Sequence, residues 1–151
     1  MSNRYAAFGN QNLAATSITA LTLASNATVA HRNYLHEYII ADEGTPADNV
    51  VLHTLQRCSA LGTNTLVTAT KLDPADRVAQ ALCGENHTAE PTYTAAEELA
   101  EFALNTRATF RWVAAPGSEI VTPATAANGV GWAALHASAT TAWGVQALWA
   151  E

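Results

Sequence analysis

Charge is scarce in this chain. Asp, Glu, Lys and Arg make up 13% of its 151 residues, about half of the roughly 25% usual in soluble domains. Seven Lys and Arg stand against 13 Asp and Glu, a net charge of −6, and no basic cluster forms. The positive footprint that neutralises several phosphates is missing, so nucleic acid is not an expected partner. Cysteine is nearly absent too. Cys58 and Cys83 lie too far apart for a C-x-x-C metal pair and are too few for a disulfide framework; buried free thiols are the expectation. No stretch reaches the roughly 18 to 20 apolar residues of a membrane-spanning helix, and no membrane partner is expected. The segment Leu13 to Ala30 is Ala-rich, but Thr16, Ser17, Thr19 and Thr22 interrupt it and only Arg4 supplies a basic flank, so it reads as a strand and not as a signal peptide.

Catalytic signatures are likewise missing. There is no nucleophile elbow, Walker loop or cysteine-protease motif. Gly129, Gly131 and Ala134 match the relaxed pattern G-x-G-x-x-A, yet a loop precedes them and a strand-like run follows, so a tight turn before a strand is the better reading. His31, His36, His53, His87 and His136 show no ligand spacing; the densest group, Glu85, His87 and Glu90, reads as solvated polar residues. Adjacent Glu97 and Glu98 point to opposite faces of a strand and, with Glu101, suit an exposed face better than a glycosidase pair. No enzyme, cofactor or metal site is expected.

What is present is period-two alternation between turn signals, the pattern of an antiparallel β protein. From Tyr34 to Ile40, the residues Tyr34, His36, Tyr38 and Ile40 are expected on one face, with Leu35, Glu37 and Ile39 on the other. From Val50 to Cys58, the residues Val51, His53, Leu55 and Arg57 alternate with Val50, Leu52, Thr54 and Gln56. Thr65 to Leu72, Thr109 to Val113, Glu119 to Val121, Val130 to His136 and Trp143 to Ala150 read as further strands. The last puts Trp143, Val145, Ala147 and Trp149 on one face. Ala95 to Leu104 fits either a helix or a strand, and Glu85 to Thr94 reads as a connection. Asp73-Pro74-Ala75-Asp76, an N-cap acid followed by proline, predicts one short helix ending at Gly84, with a compact loop holding a single turn as the alternative.

At least seven strands and one short helix define an all-β chain: a single antiparallel β-sandwich or jelly-roll over residues 1–151, with residues 1–12 as an extended N-terminal arm. Of Trp112, Trp132, Trp143 and Trp149, most are expected between the sheets. Trp149 is the exception, on a strand that reads as an edge. Arg107 and Arg111, flanking Phe110 and Trp112 on opposite sides, are the best candidates for oriented ion pairs or partner contacts. Arg107, Arg111 and Trp149 are therefore the candidate interface residues.

The run from Leu104 to Glu119 (LNTRATFRWVAAPGSE), followed by Pro123 to Gly131 (PATAANGVG), carries a resemblance. With Gly44-Thr45-Pro46-Ala47-Asp48, Leu72-Asp73-Pro74-Ala75-Asp76 and the segment Gly84 to Tyr93, it is similar to a family of small proteins encoded among the virion genes of tailed bacteriophages. Ser118 departs from the pattern, standing where a glycine is expected. The resemblance implies a non-enzymatic capsid decoration, or cement, protein. Such a protein would be a homo-oligomer partnered by the major capsid protein, made in the bacterial cytoplasm and placed on the outer capsid surface. The alternative it leaves is a tail- or fibre-associated module that binds host-surface glycans through exposed aromatics.

Overall fold

The computed structural model describes residues 2–137 and 141–151. Its strands, in chain order, are β1 (Arg4–Asn12), β2 (Ile18–Ala24), β3 (Asn33–Asp42), β4 (Val50–Ala60), β5 (Thr63–Val67), β6 (Thr70–Lys71), β7 (Leu82–Ala89), β8 (Thr92–Asn105), β9 (Phe110–Val113), β10 (Ile120–Thr122), β11 (Gly129–Leu135) and β12 (Ala142–Ala150). They build two antiparallel sheets packed face to face. The first runs β10-β3-β12-β1-β6, with β9 also paired to β3; the second runs β5-β7-β2-β11-β4-β8.

The connectivity is that of a jelly roll. Leaving aside β5, β6 and β7, and counting β9 and β10, which both pair with β3, as one edge strand, the chain alternates between sheets at each step except from β4 to β8, which are neighbours in the second sheet. Each sheet then orders its strands as two interlocked Greek keys demand. The insertion β5–β7 adds β6 beyond β1 and β7–β5 beyond β2, so the short passage through Thr68 and Ala69 crosses from sheet to sheet and covers that side. On the opposite side Arg57 Nη1 of β4 donates to Val121 O of β10 at 2.9 Å, and Phe102 meets Phe110 with ring centroids 4.2 Å apart.

The interior follows from alternation. Trp143, Val145, Ala147 and Trp149 of β12 all face inward and are buried, as are Val51, His53 and Leu55 of β4. Tyr5 packs on Trp149 at 5.9 Å, and Tyr38 is stacked on Trp112 at 5.3 Å with Trp132 edge-on at 5.7 Å. Aromatic side chains of this size each remove about 150 to 250 Å² from water. At about 25 cal/mol per Å² that is an upper value of about 4 to 6 kcal/mol apiece. Cys58 and Cys83 are buried free thiols, and burial raises both, Cys58 to about 11 and Cys83 to about 12.

Five expectations are corrected. No helix occurs among the described residues. Asp73 does cap a turn, its Oδ1 accepting from Ala75 N and its carbonyl from Asp76 N. Further along, Gln80 N and Ala81 N both donate to the Glu151 carboxylate. Lys71 Nζ takes the carbonyls of Pro74 and Asp76, and the chain stays a loop until β7. Glu85 to Ala89, expected as connection, belongs to β7.

Residues 4–12 are no arm. As β1 they lie between β12 and β6, with Tyr5 and Ala7 in the core. Strict alternation in β3 fails at His36. Leu35 pairs with Trp149 and Glu37 with Leu148, leaving His36 without an opposite residue. This bulge switches the parity, so that Leu35, Tyr38 and Ile40 face inward while Tyr34, Glu37 and Ile39 face out. Trp149, finally, is completely buried, since β12 sits between β3 and β1 and is not an edge. It cannot touch a partner.

Candidate functional site

Two surfaces stand out once the fold is in place. The first is a trough on the outer face of the β1–β12–β3 sheet. Strand register sets Arg4 opposite Ala150 and Ala150 opposite Tyr34, so a methyl group forms a floor between two long side chains about 10 Å apart, two strand spacings. The bulge adds His36 beside Tyr34, and Glu119, just ahead of β10, adds a carboxylate; Ser2 and Glu151 complete the rim, the Glu151 side chain itself being buried and turned to Gln80 and Ala81. The cavity measures about 590 Å³, within the range of small-ligand sites. Tyr34 is 39% exposed. Among the described residues the side chains of Arg4, Tyr34 and His36 make no hydrogen bond or ion pair, while Glu119 Oε1 accepts from Gly117 N at 3.2 Å.

The second is an apolar lobe built by the inserted strands. Leu66 and Val78 are 68% and 66% exposed, and Phe8 and Leu72 are 46% and 44% exposed. Two adjoining grooves of about 230 and 400 Å³ share Val67 and Thr68 and bring these four side chains onto one side of the molecule. An edge strand lies within it, because β5 is the last strand of its sheet.

The expected interface residues separate. Arg111, on β9, reaches Glu37 on the outer sheet face, Nε to Oε1 at 2.7 Å. That contact holds the Glu37 carboxyl below its usual range and raises the guanidinium further. Arg107 lies exposed in the turn after β8, its amide capped by Asn105 Oδ1 at 2.9 Å. Trp149 lies in the core. The three do not meet.

The other candidate groups are structural. Gly129, Gly131 and Ala134 lie inside β11, where a Cβ on Gly129 would come 2.1 Å from Leu23 O and one on Gly131 2.5 Å from Tyr93 Oη. Their spacing reflects close packing over a strand. His87 is buried with Nδ1 3.2 Å from Thr19 O, and Glu90 accepts from Thr19 N and Thr19 Oγ1, which also meets Tyr93 Oη at 2.6 Å. These contacts fasten the β7–β8 turn to β2. Glu97, Glu98 and Glu101 lie exposed along β8, with Glu98 accepting from Gln56 Nε2 and Glu97 4.0 Å from Arg57. Among the described residues no three His, Cys, Asp or Glu side chains cluster to hold a metal ion.

Sequence reasoning missed both surfaces. The trough depends on the His36 bulge, which leaves no mark in hydrophobic periodicity. The lobe's Val78 and Leu72 lie in or beside the segment read as a helix. No family model, curated protein or solved structure matches the chain.

Proposed function

We propose that the chain is a non-enzymatic structural protein of a tailed-phage virion, decorating or cementing the outer capsid by bridging major capsid subunits. The observation that carries the proposal is the apolar lobe on a weakly charged jelly roll. Leu66, Val78, Leu72 and Phe8 are exposed apolar side chains along two grooves that meet at Val67 and Thr68, and clustered apolar exposure is what marks a protein contact site. A face with few charges is also cheaper to desolvate against a lattice. The sequence resemblance between Gly44 and Gly131 supplies the identity of the partner, and the jelly roll is an architecture that capsid and lectin domains share. Arg107 and the Arg111–Glu37 pair lie at the opposite edge of the sandwich, beside β8 and β9, and take no part in the lobe.

The trough favours a second reading, a tail- or fibre-associated module that binds host-surface glycans. That reading runs through Tyr34, because Trp132, Trp143 and Trp149 are buried.

Copy number per particle separates the two. Quantitative mass spectrometry of purified virions, referenced to the major capsid protein, should give on the order of hundreds of copies in simple ratio to capsid subunits, as lattice symmetry requires. A handful of copies would move the protein to the tail. Absence from the particle would end both readings.

A further inference from the structure

We infer that the Arg4–Tyr34 trough is a saccharide site selective for sugars that carry a carboxylate, such as uronic or sialic acids. The inference names the ligand class for the glycan-binding reading and rests on that reading for its site, not on where in a particle the protein resides.

Ala150 is the small residue of its row, and the strands on either side raise Arg4 and Tyr34 as walls. A pyranose ring offers one face of C–H groups and a periphery of hydroxyls. The partly exposed Tyr34 ring supplies an amphipathic surface for the first, while the phenol hydroxyl, His36 and Glu119 supply donors and an acceptor for the second. Such a division between one apolar wall and a few convergent polar groups is what orients a small ligand.

The carboxylate preference comes from Arg4. Its guanidinium is a planar fork of donors that matches a carboxylate in bidentate fashion. It makes no ion pair among the described residues; Asp73 and Asp76 line a separate cavity that adjoins the trough at Ser2 and Arg4. The backbone of Arg4, by contrast, is fully engaged: its N donates to Asp76 Oδ2 at 3.2 Å and its carbonyl accepts from Leu72 N at 2.9 Å. The main chain is fixed while the charged head is left free. Glu119, on the opposite rim beside His36, is an acceptor for hydroxyls and disfavours a second carboxylate at that end. The site therefore has polarity: acid group toward β1, hydroxyls toward β10.

The test uses the full chain. A panel of uronic-acid and sialic-acid oligosaccharides is printed beside neutral counterparts, and the best acidic ligand is then titrated calorimetrically against its methyl ester. The acid should bind at least about tenfold more tightly than the ester, an allowance for one charge-assisted bidentate contact. Arg4→Gln should abolish that discrimination, Tyr34→Ala should weaken both ligands about tenfold, and Ala150→Leu should fill the floor and remove binding. Each variant changes an outward side chain, so its unfolding midpoint should stay near that of the parent; a variant that unfolds is replaced by Tyr34→Ser or Ala150→Val. Equal affinity for acid and ester would overturn the inference and leave the glycan reading standing. Binding that survives Ala150→Leu would overturn the site, and a panel with no ligand would end both.

Discussion

The imidazole of His53 lies edge-on to the indole of Trp143, ring centroids 5.1 Å apart, and stacks on Phe102 at 5.8 Å. It is buried between the sheets with neither ring nitrogen hydrogen-bonded. A histidine so enclosed is stable only as the neutral form, and burial lowers its pKa to about 4.

Stability should consequently depend on pH through this ring. The unfolded chain takes up the His53 proton near pH 6.5, before the folded chain does, so this contribution is complete above that pH and declines as pH falls toward about 4. The loss is about 3 kcal/mol. Asp42, which pairs with Trp143 across the sheet, acts in the opposite sense. Burial raises it to about 6, and its contribution is present at acid pH and lost as pH rises through that value. Because Asp42 is only partly enclosed, its effect is about 1 kcal/mol after screening. Urea unfolding across pH 4 to 7 should show a net acid weakening that His53→Phe largely removes and Asp42→Asn makes steeper. A flat profile in the parent would refute the assignment.

Gly131 and Tyr93 should behave as a coupled pair. A methyl at position 131 would meet the phenol oxygen at 2.5 Å, so Gly131→Ala should cost about 1 to 3 kcal/mol. Tyr93→Phe loses the 2.6 Å contact with Thr19 Oγ1, which is worth about 1 kcal/mol. With the hydroxyl gone, the added methyl meets less resistance, and the double variant should be more stable than the sum of the singles by about 1 kcal/mol. A double-mutant cycle on denaturation midpoints measures this; strict additivity would show that the ring moves aside freely.

Glu151 replaces a helix that the loop after β6 would otherwise begin. Its buried carboxylate accepts from Gln80 N at 2.9 Å and Ala81 N at 2.8 Å, with His31 Nε2 3.3 Å and Arg77 Nη2 3.7 Å away. Glu151→Gln should keep the shape, remove the negative charge, replace one acceptor oxygen by a donor and cost about 1 to 3 kcal/mol. Amide exchange at Gln80 and Ala81 should accelerate well before exchange in β12 does. Unchanged protection at those two amides would mean the carboxylate is not what holds the loop.

The lobe gives the proposed capsid contact its mutational test. Leu66→Lys and Val78→Lys place charge on side chains that are already exposed, so thermal midpoints should hold within a few degrees. Particle binding should fall by at least about tenfold. Deleting residues 1–11 is the wrong probe for docking, because it removes β1 from between β12 and β6 and should abolish folding itself. Retained binding in both lysine variants would move the contact elsewhere.

The amino-acid sequence by itself determined the class of fold and most of the core. Alternation in Val50 to Cys58 and in Trp143 to Ala150 names the inward faces directly, since period two is a local property that a buried sheet face must satisfy. The sequence also places the turns at Gly44 and Gly117, where positive φ values of 84° and 81° favour glycine.

Tertiary structure decided everything that depends on a distant partner. Whether Asp73 opens a helix turned on Glu151, far along the chain, taking the amides that a helix would have used. Whether Trp149 is exposed turned on which strands flank β12, and β1 and β3 do. The His36 bulge arises from register between β3 and β12, and the trough it shapes joins residues from opposite ends of the chain, so neither could be read from local pattern.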